Sequence, residues 1–166
     1  MSASAITTVT TNDGSLSLDV PDSWEVHHDV RGIPLVAVEP EPGFRTNIVV
    51  TYSALGEGAT LKDWQRDTDR LLPSTLEDYL LLDLEMTIVA GHEGARRLAH
   101  HASKDNQSLT MEQWVTVVGT TGITLTATCA TMRYLEQAPV IGRSVASLEI
   151  HGEPTDTAPG AAADGS

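Results

Sequence analysis

The chain has few basic residues, and this shortage limits the partners that it can bind. Its 166 residues include 10 Lys or Arg against 23 Asp or Glu, which gives a formal net charge of −13. Binding to nucleic acid or to an anionic membrane depends on clustered cationic side chains. The composition therefore argues against both of these partners, and it favours a cationic partner where there is one.

Cysteine and long apolar runs are also scarce. The single cysteine, Cys129, excludes an intramolecular disulfide and fits a reducing compartment. No stretch of 18 consecutive apolar residues occurs, so we expect no membrane insertion by a spanning helix. Residues 1–14 lack the basic and apolar regions of a secretory signal. We therefore predict a cytoplasmic protein.

None of the motifs typical of catalytic, cofactor-binding or metal-binding sites is present. The sequence lacks the Gly-x-Ser-x-Gly elbow, a phosphate-binding glycine loop, and the Cys-x-x-Cys and His-Glu-x-x-His spacings. Four of its six histidines form two adjacent pairs in strand-like segments, and strand neighbours point to opposite faces, so neither pair suits one ion. We predict no catalytic residue, no cofactor and no metal site, and we expect that the protein is not an enzyme.

A strong period of two runs through residues 108–130 and predicts a long central hairpin. Outside the turn the odd positions are apolar except for Gln113, whereas half of the even positions are threonine. A three-residue loop of Thr120, Thr121 and Gly122 would pair odd residues with odd residues and set Val117 opposite Leu125. We predict this register, with the odd side facing the core.

The remaining pattern predicts strands before and after one helix, and a second helix near the end. Residues 6–53 are typical of a β-meander, and Thr60 caps a helix that Pro73 ends or kinks. A strand follows in which Leu80, Leu82, Leu84, Met86 and Ile88 share one face. After a connection over 131–138, a closing helix has Pro139 in its first turn.

This order predicts one α+β domain over residues 1–150, in which an antiparallel β-sheet is packed by two main helices. Residues 151–166 are small, polar and proline-bearing, and we predict a disordered C-terminal tail there.

Three short stretches of the sequence resemble the Mog1/PsbP-like superfamily, and within it the bacterial LpqN and DcrB-type proteins. They are the strand and turn of residues 16–24, the glycine-containing turn of residues 89–96, and residues 141–145 of the closing helix. The resemblance implies a Mog1/PsbP-like layered sandwich. It also implies a binding module without chemistry of its own, such as a photosystem subunit, a partner of a nuclear transport GTPase, an envelope lipoprotein or a chaperone for secreted effectors.

LpqN-like proteins commonly have a leader and an N-terminal lipid-bearing cysteine, whereas here the only cysteine is Cys129. The soluble adaptor or chaperone branch therefore fits better.

Aromatic residues make up only 4% of the chain, so the position of Trp114 on the threonine side of the hairpin stands out. Burial beneath a helix is the ordinary state of such a side chain. If the ring is exposed, Trp114 forms a flat amphipathic patch with Thr116, Val118, Thr126 and Thr128, and we predict these five residues as partner-binding.

Together these observations predict a non-catalytic protein-binding module of the adaptor or secretion-chaperone type. Its partner would be another protein, such as a secreted effector, bound on the sheet surface. Two alternatives stay open: a carrier of a small apolar ligand between sheet and helices, and an enzyme of unrecognised type. An unpaired sheet edge also leaves a homodimer open.

Overall fold

A computed structural model describes residues 5–155 of the chain. These residues form ten strands and two α-helices, with a short 3₁₀ turn at Thr131–Arg133. The elements are β1 Ile6–Thr10, β2 Leu16–Pro21, β3 Glu25–Val30, β4 Ile33–Val38, β5 Asn47–Ala54, α1 Leu61–Thr75, β6 Glu77–Val89, β7 His92–Ala102, β8 Ser108–Val118, β9 Thr121–Ala130, α2 Tyr134–Ala146 and β10 Glu149–Ile150.

The strands form two antiparallel sheets. The larger sheet has the order β3-β4-β5-β9-β8-β7-β6, and the smaller has the order β1-β2-β10. One face of the large sheet, here called the α2 face, buries the main apolar core against the small sheet and α2. The opposite face, the α1 face, carries α1. This arrangement confirms the predicted α+β fold with two helices on antiparallel sheet, but β1 and β2 do not continue into a single meander with β3–β5.

The predicted register of the β8–β9 hairpin was wrong. The loop has two residues, Gly119 and Thr120, and Trp114 rather than Val117 lies opposite Leu125. Gly119 has φ +62°, which suits a hairpin turn with glycine at its first central position. Both faces of this hairpin are covered, so the apolar side of β8 can lie on the α1 face while the apolar side of β9 lies on the α2 face. Alternation within each strand therefore does not determine how the two strands match.

The predicted start of α1 agrees with the structure, whereas the predicted end of α1 and the predicted start of α2 do not. The Thr60 hydroxyl accepts a hydrogen bond from the Asp63 N–H at 3.1 Å, which confirms the predicted cap. Pro73 lies inside α1, which continues to Thr75. The segment predicted as a connection over 131–138 is helical, and α2 begins five residues before Pro139. Because proline has no backbone N–H, Pro139 cannot donate the helical hydrogen bond to the Leu135 carbonyl. Leu135 is almost fully exposed to water, so its carbonyl is not left in an apolar environment.

The boundary predicted for the C-terminal tail was too early. His151 binds the Ser17 hydroxyl at 2.9 Å, and Glu153 accepts the Thr120 N–H at 3.0 Å. Pro154 is buried. Residues 151–155 thus lie against the domain, and the rest of the predicted tail, residues 156–166, lies outside the described residues. Neither helix of the described part is long and apolar enough to span a bilayer.

Candidate functional site

The five residues predicted to bind a partner do not share one surface. Trp114 is 8% exposed and belongs to the core, and Thr116 is fully buried with its hydroxyl donating to the Glu93 carbonyl at 2.7 Å. Val118 lies on the same α2 face, but the two-residue loop places Thr126 and Thr128 on the α1 face. The predicted exposed patch was therefore wrong, and the ordinary burial of Trp114 is what the structure shows.

The exposed apolar surface of this protein lies instead on β6, at the edge of the large sheet. Leu81, Leu84, Met86 and Ile88 point to the α1 face and are 39–70% exposed. We call these four side chains the edge-strand surface. A contiguous apolar surface in contact with water is unusual in a monomer and marks a binding site more often than isolated apolar residues do.

A β-bulge decides which leucines belong to this surface. Leu81 pairs with Ala99, but the next pair joins Asp83 to Leu98, so Leu82 is an extra residue in β6. The bulge shifts the alternation by one position. Leu80 consequently lies on the α2 face, and the predicted single face from Leu80 to Ile88 was wrong at its first two members.

An open groove of about 520 Å³ separates the edge-strand surface from α1. Leu84, Met86 and Ala95 form its sheet side, and Leu61 contributes from the helix. Charged and polar groups of α1 also line it, namely Lys62, Gln65, Arg66 and Asp69. The surface exposed inside the groove is nonetheless almost entirely apolar, a composition that suits an apolar ligand or side chain.

A buried arginine beneath α1 fixes the helix beside the groove. Arg97 of β7 is only 1% exposed, and its guanidinium binds the Asp69 carboxylate at 2.7 Å. It also donates to the Gln65 side-chain oxygen and to the Tyr79 hydroxyl, each at 3.2 Å. Gln65 and Asp69 come from α1 and Tyr79 from β6. The three contacts therefore hold helix and edge strand in one geometry.

A second charged cluster lies on the α2 face of the same strands. Arg96 contacts Asp83 at 3.3 Å, Glu85 at 3.5 Å and Glu112 at 2.8 Å. The Tyr134 hydroxyl donates to Glu112 at 2.6 Å, and burial together with this bond raises the pKa of Tyr134 to about 12. Three carboxylates share one guanidinium, so this side of β6 keeps a surplus of negative charge.

The groups considered as candidate chemistry lie apart from the groove. The Cys129 thiol is buried on the α2 face, and burial raises its pKa to about 11, so it stays protonated and weakly nucleophilic at neutral pH. Within residues 5–155 no three metal-ligating side chains come together. His28 bonds the Thr10 carbonyl and His151 the Ser17 hydroxyl, which gives both rings structural contacts.

The buried carboxylate of Glu39 makes folding sensitive to acid. Burial opposes its charge, but hydrogen bonds from Arg133 and from the Thr46 N–H outweigh that effect and lower the pKa of Glu39. A lowered folded-state pKa means stability that is present above the ordinary Glu pKa of about 4.3 and is lost as the pH falls through the folded-state value.

We expect Glu39→Gln to lower the free energy of unfolding by about 2 kcal/mol at pH 7, because a charge-assisted pair is removed from a buried position. The difference from wild type should shrink as the pH falls below about 4.3 and through the lowered folded-state pKa of Glu39, because wild type then also carries a neutral side chain there. Urea unfolding at several pH values measures this. Glu136→Gln is the matched control, since Glu136 also contacts Arg133 but is well exposed. A pH-independent difference at Glu39 would contradict the assignment.

The sequence matches no protein-family model, and no curated protein sequence matches it significantly. Solved structures, however, match over most of the chain. LpqN, involved in cell envelope biogenesis of Mycobacterium tuberculosis, has a TM-score of 0.69 at 17% identity, covering 88% of this chain and 90% of that one. Cyanobacterial PsbP from Synechocystis has a TM-score of 0.66 at 14% identity, with coverage of 91% and 95%.

The Ran-binding protein Mog1p of Saccharomyces cerevisiae also matches, with a TM-score of 0.61 at 16% identity and coverage of 90% and 97%. These three likenesses confirm the predicted Mog1/PsbP-like fold. At such low identity they concern the fold alone, since one fold can hold many functions.

Proposed function

We propose that this chain, whose fold is Mog1/PsbP-like, is a non-catalytic protein-binding module of the adaptor or secretion-chaperone type that binds through the edge-strand surface. One observation carries the proposal. In residues 5–155, four of the eleven strongly exposed large apolar side chains form the edge-strand surface, and Leu80 and Leu82 of the same strand are two more. Because grouped apolar side chains gain free energy when a partner removes them from water, this strand is the surface best suited to binding.

The composition of β6 supports a binding role for its edge. Soluble proteins usually protect an edge strand with lysine, proline or polar side chains. Residues 77–89 contain no Lys, Arg or Pro, whereas β3 at the opposite edge of the same sheet exposes His27, His28 and Asp29. β3 is therefore mostly polar, whereas β6 combines four carboxylates with six exposed large apolar side chains. This contrast favours a partner that binds β6, because exposed apolar side chains are not a general property of both edges of the sheet.

The comparisons support a protein as the partner. Mog1p, which has this fold, is a Ran-binding protein. A fold that binds a protein in one organism supplies a scaffold on which another protein site can be built, although the site itself must come from this chain's residues.

We expect Met86→Asp and Ile88→Asp each to reduce partner capture about tenfold or more, because a charge placed in a desolvated apolar contact costs well over 1 kcal/mol. Both side chains are about two-thirds exposed, so folding should be unaffected. The measurement is quantitative affinity capture from the native lysate with the tagged full chain. Met132→Asp is the matched control, since Met132 is 99% exposed on a different element.

The proposal is supported when one protein is captured by wild type and by Met132→Asp but lost by both β6 variants. Capture that is insensitive to Met86 and Ile88 would refute the edge-strand site.

The alternative of a small-ligand carrier rests on the groove between α1 and β6, and native mass spectrometry tests it. A small apolar molecule that co-purifies with wild type and is absent from Met86→Asp would favour the carrier.

A further inference from the structure

We infer that β6 binds an extended segment of the partner, which joins the sheet as an additional strand with apolar residues on one face and lysines or arginines on the other. This inference rests on the proposed function and specifies the chemistry of the partner. Three properties of β6 support it: its outer edge, its apolar face and its acidic face.

The outer edge of β6, which no strand of residues 5–155 pairs with, is regular over the part that a partner strand needs. β6 ends the large sheet, and its pairing with β7 runs without irregularity from Asp83 to Val89. An edge strand directs alternate backbone N–H and C=O groups outward, where an incoming strand can bond them. The bulge at Leu82 interrupts this pattern, so we place the incoming strand on residues 83–89.

The apolar face of such a strand would meet the groove. Side chains of paired residues lie on the same face of a sheet. A partner residue opposite Leu84 or Met86 would therefore point to the α1 face, toward the groove of about 520 Å³. Apolar side chains at these alternate positions would cover both residues and remove them from water.

The acidic face explains why the intervening partner residues should be basic. Asp83 and Glu85 lie on the α2 face, remain about half exposed, and share Arg96 with Glu112. β6 as a whole has four carboxylates and no basic residue. Lysine or arginine opposite Asp83 and Glu85 would complement this surplus, and the net charge of −13 would attract a cationic segment from a distance.

Other occupants fit β6 less well. A second copy of the chain would bring an acidic strand against an identical acidic strand, with −13 on each copy. The chain's own residues 156–166 contain two aspartates, no basic residue and no large apolar residue. A segment that alternates apolar and basic residues satisfies both faces.

The experiment uses labelled peptides of about nine residues and the full chain, with fluorescence anisotropy at low ionic strength. A peptide that alternates valine and lysine is compared with one that alternates valine and glutamate, and we expect at least tenfold tighter binding of the first. Two further valine–lysine peptides carry N-methyl groups on either the valines or the lysines. Only one set of N–H groups faces β6, so only one of these two peptides should lose binding.

Protein variants test the acidic face. Asp83→Asn with Glu85→Gln should weaken binding of the valine–lysine peptide about fivefold, since two partly exposed ion pairs are lost. Glu57→Gln with Asp67→Asn removes the same charge from exposed positions away from β6 and should change binding less than twofold.

Equal binding of the lysine and glutamate peptides would overturn the inference, as would binding that survives both N-methylations. A dimer of the chain that dissociates on Met86→Asp would overturn it in favour of a second copy. Capture of a native partner that depends on Met86, with no preference for the lysine peptide, would overturn this inference while leaving the proposed function intact. Capture that does not depend on Met86 would instead refute the proposed function.

Discussion

Asp69→Asn should lower the free energy of unfolding by about 3 kcal/mol, because it leaves the buried guanidinium of Arg97 without a counter-charge. The Asp69 carboxylate lies 2.7 Å from that guanidinium, and Arg97 is 1% exposed. Its remaining partners, Gln65 and Tyr79, are neutral side chains at 3.2 Å. They keep two hydrogen bonds but cannot compensate a full charge that water does not reach.

Removing the arginine should cost less than removing its partner. Arg97→Met takes away the buried charge together with its desolvation penalty, and it leaves Asp69 nearly half exposed to water. We expect Arg97→Met to stay within about 1 kcal/mol of wild type, since apolar replacements of buried ion pairs are often neutral. The double variant should recover most of the stability lost in Asp69→Asn.

Urea unfolding followed by tryptophan fluorescence measures all three variants, and the double-mutant cycle gives the coupling energy. Asp67→Asn is the matched control, because Asp67 is exposed on the same helix. If Asp69→Asn and Asp67→Asn have equal effects, the Asp69–Arg97 contact does not hold α1 on the sheet. A loss of stability in Asp69→Asn but not in Asp67→Asn would show that this contact holds α1 on the sheet.

Gly94→Ala should destabilise the protein by about 3 kcal/mol, at the upper end of what overpacking usually costs. A Cβ at this position would lie 2.4 Å from the Val115 carbonyl oxygen and 2.6 Å from a methyl carbon of Val89. Val115 belongs to β8, which is paired on both sides, so its backbone cannot easily move. Val89 is buried in the core and has little room to rotate.

Gly142→Ala is the matched comparison and should have the opposite sign. Gly142 lies within α2, and a Cβ added there would have nothing within 4 Å. Alanine is favoured over glycine in a helix interior, so we expect a gain of about 0.5–1 kcal/mol. Thermal and urea unfolding of both variants measure the difference. A small effect at Gly94 would mean that β7 and β8 are less tightly packed than the structure shows.

The elements of this fold could be predicted from local sequence signals, whereas their pairing could not. The Thr60 cap and the alternation around Leu125 depend on neighbouring residues, and both were confirmed as a helix start and a strand. The register of β8 with β9 depends on which faces other elements cover. Since α1 covers one face and α2 with the small sheet the other, Val115 and Trp114 are both buried and alternation does not select between them.

The sequence analysis missed the candidate site because that site depends on the position of β6 at the edge of the large sheet. The sequence shows the apolar alternation near Met86, but the same pattern fits a central strand with one buried face. Only the strand order reveals that β6 has a single neighbour among residues 5–155. The bulge at Leu82 added a second difficulty, since an extra residue in one strand cannot be recognised without its partner.

By itself the sequence determined the acidic character and the succession of strands and helices, and its resemblance to the Mog1/PsbP-like superfamily indicated the fold. The charge depends on composition, and the strands and helices depend largely on residues close along the chain. The tertiary structure alone decided that Trp114 is buried, that Arg97 holds α1 on the sheet, and that the leucines and methionine of β6 face water. Those outcomes depend on contacts between residues far apart in sequence, and no local pattern encodes which strand is left without a neighbour.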